Sequence, residues 1–263
     1  MMSEESSEFE IWKQFGDERS SIPDDVAREE PLQITVDGTP VAVVMRTPGH
    51  DDELVRGFLL TEGLVNCLDD VTRIDLDDKQ NHACVFLADD VILDHASLSR
   101  NLYSASSCGI CGKASIEAIQ QNAPPIECDF TIPSSLVLSL PDALRSAQEV
   151  FSNTGGLHAA ALFTAEGELL ILREDVGRHN AIDKVIGWAA VQKIDVSETL
   201  LQVSGRVSFE VIQKALVARI PIVSAISAPS SLAVEFAREN GQTLIGFLRP
   251  PKFNIYSAPD RIV

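Results

Sequence analysis

At 263 residues and 28.6 kDa, with 45% apolar and 23% charged side chains, the chain can fold as one large or two modest domains around a sizeable core. No stretch approaches the ~18 consecutive apolar residues of a membrane helix. Five cysteines are too few for a disulfide scaffold, which places the chain in a reducing, cytoplasmic setting. A formal charge of −18 repels phosphate backbones and argues against DNA or RNA as partners.

The acids are concentrated towards the front. Residues 1–30 hold ten acids and three bases, lack the apolar core of a secretory signal, and are expected to form a flexible acidic arm. Leu32–Val36 and Val41–Met45 flank the turn signal Asp37-Gly38 and read as a hairpin. His50–Leu64 has Leu54, Phe58 and Leu59 at helical spacing and a closing Gly63. Thr72–Leu76 and His82–Leu87 alternate as strands, giving a small α+β domain over 31–132. Residues 102–113 are small and Gly/Ser-rich, so a loop is expected there, followed by a short helix over 114–121. Pro124, Pro125 and Pro133 mark a linker.

From Pro141 the rhythm becomes regular. Helices are expected over 141–151, 180–193, 208–218 and 230–239. Strands are expected over 158–163, 169–173, 199–204, 222–227 and 243–248. Strands alternating with helices predict a layered α/β sheet over 133–263, and the continuous apolar runs at 200–203 and 222–226 suit strands covered on both faces. Residues 101–263 have thirteen bases against sixteen acids, so an anionic ligand should bind here rather than at the front.

Cys108-Gly-Ile-Cys111 carries the sharpest chemistry. A thiol just before a helix start, with Lys113 nearby, gains from free amides and positive charge and becomes a better nucleophile. Half a zinc site, a dithiol redox motif, a sulfur carrier and a plain turn remain open readings of the pair. Cys67, Cys84 and Cys128 are scattered and read as small packed or inert residues, with no second pair for zinc. Four turns, at 154–158, 173–183, 204–208 and 227–231, crowd Gly, Ser and charged residues at strand ends, where α/β folds bind ligands. With Arg178, Arg206 and Arg249 they suggest a nucleotide-sized anion. His158 and His179 have structural readings as good as functional ones.

These runs resemble the FdhD family of formate dehydrogenase accessory sulfurtransferases. The matches are Ser106–Lys113, Thr154–Ala160, Arg173–Ile186, Ser204–Glu210 and Gly246–Arg249 through Phe253–Tyr256. The resemblance implies an α/β, overall α+β, protein with a cytidine-deaminase-like three-layer αβα back domain. It implies a sulfurtransferase acting between a cysteine desulfurase and the bis-molybdopterin guanine dinucleotide cofactor of formate dehydrogenase, with a homodimer supplying two nucleotide pockets. By the resemblance Cys108 carries a persulfide, Cys111 assists, and Phe247, Leu248, Arg249, Pro250, Pro251 and Lys252 form the cofactor-binding segment. No zinc is expected: the start of the third helix has no cysteine, and Ala181 stands where a deaminase needs Glu. A cofactor-binding chaperone or a dithiol redox module without sulfur transfer is the alternative.

Overall fold

A computed structural model describes residues 5–77, 79–91 and 123–263. The front of the chain departs from expectation. Instead of a flexible arm it forms a hairpin, β1 (Ser6–Phe15) and β2 (Glu18–Ala27), paired antiparallel along its whole length. The two-residue loop Gly16-Asp17 is the reason, since Gly16 takes the left-handed φ of 59° that such a loop asks of its first residue. Acidity disguised it: Phe9, Ile11 and Phe15 share one strand face, interrupted only by Lys13, in a stretch rich in acids.

Asp37 and Gly38 both take positive φ and turn β3 (Glu30–Val36) into β4 (Thr39–Arg46). Helix α1 (Asp51–Thr61) opens with three acids at its positive end. β5 (Val71–Asp77) and β6 (His82–Leu87) complete a four-stranded sheet, ordered β4-β3-β6-β5, in which β3 and β6 run parallel. Leu32, Ile34, Val85 and their neighbours bury one sheet face against Leu54, Val55 and Leu59 of α1.

In the back half the first helix starts earlier than expected. α2 (Ser134–Ala147) contains Pro141 instead of beginning there, because Val137, Leu140 and Leu144 keep one stripe buried across the proline. The short α3 (Glu149–Thr154) follows. Then come β7 (His158–Phe163), β8 (Leu169–Asp175), α4 (Arg178–Val191), β9 (Leu200–Val203) and α5 (Phe209–Val217). β10 (Ile222–Ala225), α6 (Ser231–Glu239), β11 (Thr243–Arg249) and β12 (Lys252–Ser257) complete the domain. β12 was not expected; its exposed, irregular register hides the alternation. The sheet is ordered β12-β11-β10-β9-β7-β8, with β9, β10 and β11 parallel. α4, α5 and α6 pack on one face and α2 on the other, so the three-layer α/β/α domain is realised. β9 and β10 are buried at every residue, as their apolar runs require. Among the described residues no helix is long and apolar enough to cross a membrane.

The front unit docks on this domain through α1 and α4, whose backbones touch. A Cβ on Gly57 would stand 1.8 Å from the Asp183 carbonyl oxygen, and one on Gly187 would stand 1.9 Å from that of Glu53. Around the contact the side chains are ionic. Lys214 Nζ lies 2.9 Å from both Asp183 oxygens, 2.8 Å from Thr61 Oγ1 and 3.1 Å from Glu62. Lys184 Nζ sits 2.8 Å from Asp175 and donates to the Thr47 carbonyl at 2.9 Å. Arg173 grips Glu53 through two hydrogen bonds of 2.6 and 2.8 Å. Burial pushes the Asp183 carboxyl up to about 6 against the pull of Lys214. Burial also works to lower Lys214, but Asp183 and Glu62 outweigh it and hold the ammonium above its ordinary value. Both remain charged at neutral pH.

Gly187→Ala should therefore force the helices apart and destabilise the protein by about 3 kcal/mol, the upper part of the overpacking range. Urea unfolding is the measurement. A midpoint equal to that of the wild type would show that the helices separate without cost.

Candidate functional site

The strand registers bring the four expected turns to one edge of the sheet. β7 runs antiparallel to β9, with Ala160 opposite Val203, so His158 at its amino end lies beyond the carboxyl end of β9. His158 is also opposite Asp175, the last residue of β8. The turns after β9 and β10 are laced together, as Val207 N donates to the Ala228 carbonyl at 3.2 Å and Ser230 N to that of Val207 at 2.9 Å. Those two amides, expected to face a phosphate, are thus already engaged. Phe247 N donates to the Ser227 carbonyl at 3.0 Å, and Arg249 Nε to that of Ile226 at 3.3 Å, which draws the end of β11 into the same cleft. Gly246 permits this approach: a Cβ there would meet Pro229 Cδ at 2.9 Å.

The Arg173–Asp183 run divides between two tasks. Arg173 is taken by Glu53, and Asp183 by Lys214 and Thr61. Asp175 accepts from Gly177 N at 2.8 Å, Asn180 Nδ2 at 2.8 Å and Thr47 N at 3.2 Å, besides Lys184. Asn180 also donates to the Met45 carbonyl at 2.7 Å. These residues hold the front unit in place and face no ligand. Arg178 differs: its Nε is buried with no hydrogen-bond partner. His158, half-buried, lies beside it, and Arg206 is exposed on the next turn. Burial lowers the His158 pKa, the charges of Arg178 and Arg206 lower it further, and Asp175 only partly opposes them. His179 is buried, with Nε2 3.1 Å from Glu210 and 3.2 Å from Ser208 Oγ, a structural position.

The Phe247–Lys252 segment forms the β11–β12 turn. Phe247, Arg249, Pro250, Pro251 and Lys252 are exposed, and Arg249 pairs in register with Lys252, setting two positive charges side by side. Leu248 is fully buried in the core under α2 and offers a ligand only its backbone. Cys108, Cys111 and the expected helix over 114–121 lie outside the described residues. Of the described cysteines, Cys84 and Cys128 are half-buried. Cys67 is exposed rather than packed, its Sγ 3.6 Å from Asp70 Oδ1, because it precedes a short 3-10 helix at the surface. Among the described residues no three His, Cys, Asp or Glu side chains gather as a metal site. A separate cavity of about 630 Å³ opens near the carboxyl ends of α4 and α5, lined by apolar side chains apart from Asn66 and Arg219, with no nucleophile or acid. It lies away from the strand-end cleft.

A three-layer α/β/α domain whose strand ends gather arginines, with a helix-and-sheet unit docked on its helical face, defines a mixed α/β protein. The sequence model of the FdhD/NarQ family matches residues 27–263. The chain belongs to that family. It is 49% identical to "Sulfur carrier protein FdhD" of Mycolicibacterium paratuberculosis, covering 91% of this chain and 92% of the relative. The like-named protein of Sulfolobus acidocaldarius is 48% identical, with 93% of each chain covered. Among solved structures, a candidate formate dehydrogenase accessory protein from Desulfotalea psychrophila superposes with a TM-score of 0.78. It covers 98% of this chain and 100% of its own at 23% identity, a likeness of fold.

Since its pKa is lowered, His158 should be neutral at pH 7 and titrate below its ordinary 6.5. Its contribution to stability is complete above 6.5 and is lost as the pH falls through the lowered pKa. An NMR titration of the imidazole tests this, and Arg206→Ala should move the midpoint upward. A wild-type midpoint above 6.5 would contradict the proposed arrangement.

Proposed function

We propose that the protein is a sulfur carrier that receives sulfane sulfur from a cysteine desulfurase on Cys108. It delivers this sulfur to the molybdenum of bis-molybdopterin guanine dinucleotide, the cofactor of formate dehydrogenase. The observation that carries this reading is near-full-length identity, close to one residue in two, with proteins named as sulfur carriers. The chain's own Cys108-Gly-Ile-Cys111 supplies the chemistry.

In the loading step the Cys108 thiolate attacks the outer sulfur of the desulfurase persulfide. A new S–S bond forms on Cys108, the donor S–S bond breaks, and the donor cysteine leaves as thiolate. Delivering the sulfur as sulfide needs two electrons. Cys111 provides them: its thiolate attacks Cys108 Sγ, a Cys108–Cys111 disulfide forms, and sulfide leaves to the soft metal.

The cofactor's guanine nucleotide halves would lie in the strand-end cleft. Phe247, Arg249, Pro250, Pro251 and Lys252 would contact them by side chain and Leu248 by backbone. GDP would act as a partial mimic, and a homodimer would offer two such clefts. The strongly acidic front directs diphosphates to this end of the molecule. No step calls for zinc.

Cys108→Ala should abolish persulfide formation, read by mass spectrometry after incubation with desulfurase, and formate dehydrogenase activation, with an unchanged circular dichroism spectrum. Normal activation by this variant would refute the carrier reading. GDP retention without any persulfide on the wild type would favour the chaperone alternative. Arg249→Ala should weaken GDP binding by about ten- to a hundredfold, the 1.5–3 kcal/mol of a hydrogen bond to a charged group, and added salt should weaken wild-type binding. Calorimetry at two ionic strengths decides; equal affinity of the two proteins at both would remove Arg249 from the pocket.

A further inference from the structure

We propose that His158, Arg178 and Arg206 form a phosphate cradle, a subsite for one phosphate or diphosphate group distinct from the Arg249–Lys252 pair on the β11–β12 turn. The inference deepens the nucleotide half of the reading above and does not depend on Cys108.

Arg178 and Arg206 stand apart from the other arginines. Among the described residues every other arginine donates a hydrogen bond or stacks on a ring. Arg46 and Arg173 hold carboxylates, Arg238 and Arg261 hold backbone carbonyls, and Arg145 lies over the Phe151 ring. The remaining ones engage a side chain or a carbonyl in the same way. Arg178 and Arg206 do neither, and Arg178 Nε is removed from solvent without an acceptor. A buried donor without an acceptor has lost its water and gained nothing in return, so its persistence asks for a ligand.

The surroundings sharpen the point. Among the described residues no carboxylate forms an ion pair with either of these two cations. Asp175, which acts on the neighbouring His158, has both oxygens engaged by Lys184, Asn180 and the amides of Gly177 and Thr47. Gly205 lets the groups close up: a Cβ there would sit 3.3 Å from His158 Nδ1 and 3.7 Å from Arg178 Cδ. Two helices, α4 of 14 residues and α5 of 9, begin at Arg178 itself and three residues after Arg206, which puts a positive helix end beside each arginine in the chain. Two guanidinium forks, one imidazole and two helix starts match a dianion with several acceptor oxygens better than a carboxylate.

The groups facing His158 are Asp175 from β8, Arg178 from α4 and Arg206 from the turn after β9. In the empty cleft the two guanidinium charges and burial keep the imidazole neutral. A bound dianion reverses that field, so His158 takes up a proton on binding, and affinity rises as the pH falls from 8 to 6.

The test uses inorganic pyrophosphate, and separately GDP, titrated by calorimetry in buffers of different ionisation enthalpy. Wild type should bind pyrophosphate with proton uptake, and Arg178→Ala and Arg206→Ala should each bind at least tenfold more weakly. His158→Asn should lose the dependence on buffer. Because the empty pair repels, Arg206→Ala should melt above wild type without ligand, a gain that pyrophosphate reverses by stabilising wild type alone. No pyrophosphate binding by wild type, wild-type affinity in both arginine variants, or a lower melting temperature of Arg206→Ala would each overturn the cradle. GDP binding that is sensitive to Arg249→Ala but indifferent to both arginine variants would reject the cradle and leave the cleft reading standing. Pyrophosphate binding through the cradle without GDP binding would do the reverse.

Discussion

The contact of two glycines with two carbonyls, where α1 crosses α4, sets the position of everything else. At a Cβ distance below 2 Å no other residue fits either site, so the helices are fixed in both spacing and rotation. Backbones this close leave flanking side chains no route to water. The polar ones must find partners inside, as Lys214 does with Asp183, Thr61 and Glu62, and Lys184 with Asp175. Buried ion pairs add little net stability, but removing one partner strands a charge. Such a joint is therefore specific rather than strong: it tolerates one docking geometry and penalises every neighbour of it.

The same economy explains the cleft. The Arg173–Asp183 segment starts with its charged residues clustered at one strand end. The joint takes Arg173, Asp175, Asn180 and Asp183 from the inner side and leaves Arg178 facing outward. Scaffold and candidate site are thus written into one stretch of sequence, which runs from the end of β8 into the first turns of α4. The acids are concentrated towards the front of the chain, away from the strand ends that carry Arg178, Arg206 and Arg249.

Much of the fold was legible because its signals are local. The Asp37-Gly38 turn, the apolar runs of β9 and β10 and the helical spacing of Leu54, Phe58 and Leu59 in α1 each lie within a dozen residues. The misses have local causes too. Gly16-Asp17 lay inside an acidic stretch that read as solvated arm, and Pro141 was taken for a helix start although Val137 and Leu140 precede it on the buried stripe. The site was legible in part. The four turns expected at strand ends do come together at one edge of the sheet, but Arg173 and Arg178 look alike in sequence. Only a glutamate 120 residues away tells them apart. Lys184 and Lys214 gave no sign of their burial, since a lysine's partner is chosen by tertiary structure.

The joint also has a history in time. Glu53 and Thr61 leave the ribosome about 120 and 153 residues before Arg173 and Lys214, the partners that will cover them. At roughly 5–20 residues per second, α1 waits on the order of ten seconds or more with its docking face open. A face of leucines would be adhesive during that interval. One made of glycine backbone, Glu53, Thr61 and Glu62 remains hydrated, and becomes sticky only to the complementary lysines and arginine when they arrive. Ionic burial, neutral in the finished molecule, is protective in the unfinished one.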